Sequence, residues 1–123
     1  ISGSEFAIYG GFDGTETERS QRNWAENETI IDGQEMLRCF YIGGKVTIDG
    51  LIIRNGYIDD PDRDNGGAGI FSFNGQLTIN NCSFLNNKTT NNIGGAIKTY
   101  GFSLSVQNCQ FRGNAPASWL PLC

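Results

Sequence analysis

At 123 residues the chain has room for one domain at most. Its 17 glycines and its lack of Ala- or Leu-rich runs exclude a largely helical protein, and a net charge of −4 with no basic stripe speaks against nucleic acid or anionic membrane as a partner. No stretch approaches the length of a transmembrane helix, so no membrane insertion is expected, and with no histidine there is neither an imidazole base nor a catalytic triad.

Residues 1–6 resemble a leader left by cloning, Gly3-Ser4-Glu5-Phe6 above all, although Phe6 also suits a first inward-facing position. Residues 6–9 read as a strand closed by a turn at Gly10-Gly11. From Asp13 to Glu28 the chain is polar and without period, which predicts a long excursion with one helical turn around Glu16 to Arg22, held down by Trp24. Strand character returns at Thr29–Ile31, stops at Asp32-Gly33 and resumes over Leu37–Ile42, with Gly43-Gly44 as a turn into the next segment. A second loop, Asp59 to Asn65, stands where a later segment has Lys88 to Ile93, and both loops are expected at the same corner of the molecule.

Residues 7–114 carry an internal repeat. Gly66-Gly67-Ala68 and then Leu77-Thr78-Ile79-Asn80-Asn81-Cys82-Ser83-Phe84-Leu85-Asn86-Asn87 return as Gly94-Gly95-Ala96 and Leu104-Ser105-Val106-Gln107-Asn108-Cys109-Gln110-Phe111-Arg112-Gly113-Asn114. A fainter copy precedes them, Val46 to Gly56. Self-similarity at such a period signals a solenoid, whose units bury their apolar faces only by stacking. Within each copy apolar and polar residues alternate, as strands require, and a polar pair (Asp49-Gly50, Asn80-Asn81, Gln107-Asn108) shifts the alternation and predicts a bend. Aligned on these bends, inward positions form columns: Val46/Leu77/Leu104, Ile48/Ile79/Val106, Leu51/Cys82/Cys109, Ile53/Phe84/Phe111, and further back Cys39/Ile70/Ile97. Asn87 and Asn114, with Gly56, are expected as a corner row, Asn tolerating left-handed backbone and its amides bonding along the stack. The fold class expected is all-β, a right-handed parallel β-helix of about four short coils.

The strings Gly94-Gly95-Ala96-Ile97, Phe84-x-x-Asn87 and Phe111-x-x-Asn114, with the interrupted Gly66-Gly67-Ala68-Gly69-Ile70, resemble the GGA(I/L/V) and FxxN repeats of chlamydial polymorphic outer membrane proteins. Ile8 to Arg19, closed by Thr29-Ile30-Ile31-Asp32-Gly33, is similar to the opening coil of large secreted bacterial β-helix proteins. The resemblance implies a fragment of a longer, secreted or surface-attached bacterial protein with a structural or binding, adhesin-like role. Its rival is a fragment of a β-helix polysaccharide lyase or glycoside hydrolase that acts on or binds acidic polysaccharide.

Residues 115–123 leave the repeat, bring two prolines and an apolar cluster, and read equally as a cap or as sequence foreign to the fold. The open end of a solenoid exposes strand edges and apolar side chains, which predicts self-association unless the tail covers it. Two readings stand for Asp60-x-Asp62-x-Asp64: a calcium loop, because alternating carboxylates before a turn offer the oxygen ligands a hard cation needs, or a solvated acidic loop, since Asn65 separates Asp64 from Gly66 and no Glu follows to close the cage. No other cofactor is expected. No outward row carries two carboxylates, so no acid/base pair is assigned; Asp32 and Asp49, each before a glycine, read as turn residues. Polar outward rows such as Asp49/Asn80/Gln107 could line a shallow carbohydrate groove, and Trp24, Tyr57 and Tyr100 either meet sugar faces or cover the fold. Of the four cysteines, Cys82 and Cys109 share a column with parallel side-chain vectors, a geometry that favours free buried thiols over a bridge.

Overall fold

The structure, a computed structural model, describes residues 2–59, 66–90, 94–101 and 103–116, with side chains from 5 to 114. The described residues form an all-β fold of three sheets in which each pairing is parallel. The chain runs through β1 (Ser2–Tyr9), β2 (Ile30–Asp32), β3 (Phe40–Asp49), β4 (Ile52–Arg54), β5 (Tyr57–Ile58), β6 (Ile70–Asn80), β7 (Ser83–Leu85), β8 (Lys88–Thr89), β9 (Ile97–Tyr100), β10 (Ser103–Gln107), β11 (Gln110–Arg112) and β12 (Ala115–Pro116). The first sheet has the order β1-β3-β6-β10, with β9 also on β6; the second is β2-β4-β7-β11 and the third β5-β8-β12. From β3 onward the chain visits the sheets in rotation, so strands close in sequence lie in different sheets and each pairs with its counterpart in the next copy.

The register carries the repeat. Phe6, Val46, Leu77 and Leu104 are successive Cα partners, as are Ile8, Ile48, Ile79 and Val106 in the same sheet. In the second sheet Ile31, Ile53, Phe84 and Phe111 follow one another. Because side chains alternate along a strand, each column puts its whole set on one face. Val46, Ile48, Leu77, Ile79, Ile53 and Phe84 accordingly make one buried core with Ile42, Ile70, Leu51 and Cys82. The Phe84 and Phe111 rings stack with centroids 4.9 Å apart and planes 4° off parallel.

Bends between the first and second sheets use left-handed backbone at Gly50, Asn81 and Asn108, the second member of each polar pair. Those between the second and third use it at Asn55, Asn86 and Gly113. The left-handed conformation expected at Asn87 and Asn114 thus falls one residue earlier, which leaves these two amides free to turn inward.

Several expectations are corrected. Gly43-Gly44 is no turn: β3 passes straight through it, and the ring of Phe73 lies where a Gly43 side chain would stand. One extra residue on β6, at Asn74-Gly75, shifts the register between Gly43 and Lys45, so that Phe40 and not Cys39 is the partner of Ile70. The two loops leave from different corners, since residues 10–29 join the first sheet to the second whereas residues 59–69 join the third to the first. Within the first loop the helical turn is the 3-10 segment Arg19–Gln21, and Arg22 anchors it while Trp24 stays more than a third exposed. Phe6 takes the inward position that suited it, opposite Val46 in β1, and Ala115-Pro116, the start of the tail, pair with β8.

Candidate functional site

Two rows of polar side chains fasten the copies together. At the first bend the Asn108 amide Nδ2 donates to Asn81 Oδ1 (2.6 Å), and Asn81 Nδ2 donates to Asp49 Oδ1 (3.0 Å). Arg22 closes the row, donating through Nη2 to Asp49 (2.6 Å) and through Nη1 to the Gly10 carbonyl (2.9 Å). Asp49, read as a turn residue, is therefore one half of a nearly buried ion pair. Its basic partner, 27 residues away, gave no periodic signal in a loop without period. Asp32 does serve a turn, accepting from the Gln34 N–H, and also binds Arg54 Nε (3.0 Å). These two interactions, the backbone N–H foremost, hold its carboxyl below the usual carboxylate range.

At the second corner Asn87 is fully buried. Its Oδ1 accepts the Gly56 N–H (2.9 Å), and its Nδ2 donates to the Ile53 carbonyl (3.0 Å) and to Asn114 Oδ1 (2.9 Å). Asn114 repeats the arrangement one copy on: Oδ1 accepts the Asn87 N–H (3.0 Å) and Nδ2 donates to the Phe84 carbonyl (2.7 Å). The two FxxN strings are thus one bonding unit used twice, in which the amide reaches back to the carbonyl of the earlier copy.

The thiols behave likewise. Cys82 donates to the Ile48 carbonyl and Cys109 to that of Ile79, at 3.8 and 3.7 Å. Cys39, Cys82 and Cys109 are free, and burial pushes Cys39 and Cys82 up to about 11 and raises Cys109 as well. Such thiols are packing groups and not nucleophiles.

The columns end in a concave, largely apolar mouth of about 560 Å³, lined by Gly94, Gly95, Ala96, Ile97, Leu104, Val106, Phe111 and Asn114. Leu104, Val106 and Phe111 are 44 %, 39 % and 43 % exposed, although Leu77, Ile79 and Phe84, which precede them in their columns, are buried. The repeat predicts an apolar surface at its last copy; residues 117–123, read as a cap or as foreign sequence, lie outside the described residues.

A second surface gave less warning. On the outer face of the first sheet Tyr41 stacks on Phe71 (5.2 Å, 6°) and touches Phe73 (5.1 Å), while Tyr100 meets the edge of Phe71 (5.6 Å). The Arg38 guanidinium lies 4.9 Å from the Phe71 ring centre, and the Lys98 ammonium 4.9 Å from that of Tyr100. Of this row the sequence singles out Tyr100 and not Tyr41, Phe71 or Phe73. Of the three aromatics proposed to meet sugars, Tyr100 is the most exposed and belongs to this row, Trp24 lies in the first loop and Tyr57 is half-buried in β5.

Asp60, Asp62 and Asp64, the calcium candidates, lie outside the described residues. Among the described residues no group of three acidic or cysteine side chains is placed to hold a metal ion, and no helix is long and apolar enough to cross a membrane. No family model, curated protein or solved structure matches the chain.

Proposed function

We propose that the chain is a short right-handed parallel β-helix, and that it serves as a structural and binding unit of a secreted or surface-attached bacterial protein, adhesin-like and without catalysis of its own. The observation that carries this reading is the in-register succession of like residues, Leu77 on Leu104 and Phe84 on Phe111, through sheets that the chain visits in rotation. A three-sided coil is the simplest path that gives this order, and crossovers between parallel strands favour the right hand. The carboxylates best placed to do chemistry, Asp32 and Asp49, are engaged by Arg54 and Arg22. Tyr41 and Tyr100, exposed over the buried Phe71, with Lys98 against Tyr100, supply a face with the aromatic and cationic groups that meet sugars and their acidic substituents.

Beads coated with the chain, passed over immobilised neutral and uronate-containing polysaccharides and over host-cell layers, test the function. Retention on at least one surface with no release of cleaved saccharide is expected, and Tyr100→Ala should lower retention on a saccharide. Release of shortened or unsaturated oligosaccharides would overturn the reading in favour of an enzyme.

A further inference from the structure

We infer that the apolar mouth is a docking site for one more repeat of the same pattern, a segment of the form GGAx followed by LxVxxCxFxxN, accepted in trans by strand addition. Observed register and bonding alone support this, independently of the adhesin-like role.

Three features of the established interface between copies run on into the mouth. The apolar columns continue, because Leu104, Val106 and Phe111 occupy the same places as Leu77, Ile79 and Phe84 but lack the cover these have. The Phe111 ring stacks on Phe84 by one face, and its opposite face turns toward the mouth. The amide series continues as well. Asn87 accepts the N–H of Gly56, Asn114 accepts the N–H of Asn87, and the next place in the series, an amide accepting from Asn114, lies beyond the last described copy. Glycine at Gly94 and Gly95 extends the close approach seen one copy earlier, where Gly67 and Ala68 donate to the carbonyls of Gly94 and Gly95 (2.5 and 2.8 Å).

A partner is therefore specified by more than hydrophobicity. It must offer a parallel edge, two alternating apolar residues, an aromatic ring and, three residues after that ring, an asparagine. The opposite end of a second copy satisfies this poorly. It presents Phe6, Ile8 and Ile31 in the right columns, but its chain turns through Gly33, Gln34 and Glu35 after β2, with no asparagine amide at the corner. A further repeat offers the asparagine that the opposite end lacks, and so fits the mouth better than a head-to-tail second copy does.

The test uses the full chain and a fluorescent peptide with the sequence of residues 94–114 carrying Cys109→Ala. Saturable one-to-one binding is expected, weakened about tenfold or more when the peptide carries Asn114→Ala and abolished when it carries Phe111→Asp. Val106→Asp in the chain, checked for an unchanged circular dichroism spectrum, should abolish binding. Should that variant fail to fold, protection of the residue 104–111 amides from hydrogen exchange on adding peptide supplies the same information. No saturable binding, equal binding of a scrambled peptide, or concentration-dependent dimerisation of the chain alone that the peptide does not compete would overturn the proposal.

Discussion

Asn87 does more than its neighbours because no solvent reaches it. In water an amide is satisfied in any orientation; buried, it must find each partner within the protein, and here it finds Gly56, Ile53 and Asn114. Asn87→Ala removes those bonds and takes from the Gly56 N–H its buried acceptor, so urea unfolding should register a loss of about 2–3 kcal/mol. Asn114→Ala, at the open end, should cost less. The thiols give a pH test of the same burial. Cys39 and Cys82 ordinarily ionise near 9.0 and in the fold near 11, so the folded chain keeps protons that the unfolded chain has lost. Their contribution is complete below pH 9 and fades as pH rises toward 11. Stability measured across that range should fall, and the fall should flatten in a Cys39→Ala/Cys82→Ala variant.

At the scale of elements, Arg22 ties the long first loop to the first bend. Arg22 spans from the loop to Asp49 and the Gly10 carbonyl, stacking beside the Tyr9 ring on the way. With both partners of the ion pair nearly buried, Arg22→Ala strands a carboxylate at the bend and should cost about 3 kcal/mol in thermal or urea unfolding. Asp49→Asn in the same background should recover much of it, a coupling that a double-mutant cycle measures. This pair also marks the limit of what periodicity reveals. Strands, bends and columns were legible because they recur: the interval from Leu77 to Leu104 is the register of β6 against β10. Arg22 occurs once, in a stretch with no internal copy to align it, and nothing in its neighbours named Asp49. The Cys39 column slipped for a related reason, since counting back a fixed interval cannot see the extra residue at Asn74-Gly75. Outward aromatics on β3 and β6 were missed because pattern assigns a face by hydrophobicity, whereas Tyr41 and Phe71 join Tyr100, already singled out, in covering one another from outside.

For the whole molecule, stability should be graded along its axis. Residues pair only with the copy before and the copy after, so each column samples depth at constant chemistry. Truncating Ile79, buried at every side, should cost about 3 kcal/mol, whereas Val106→Ala, one place further along the same column and over a third exposed, should cost about 1. Native-state hydrogen exchange should rank the same way, with β10 and β11 opening before β6 and β7.

The additional residue at Asn74-Gly75 has a wider meaning. It sits where β6 crosses from one part of its ladder to the next, and pairing resumes unharmed on either side, Gly43 with Phe73 and Lys45 with Gln76. Growth or shrinkage of a copy is thus absorbed locally, without passing the error to its neighbours. A chain built this way can diversify its seams, lengthening one and trimming another, while the spine of stacked side chains never loses its place.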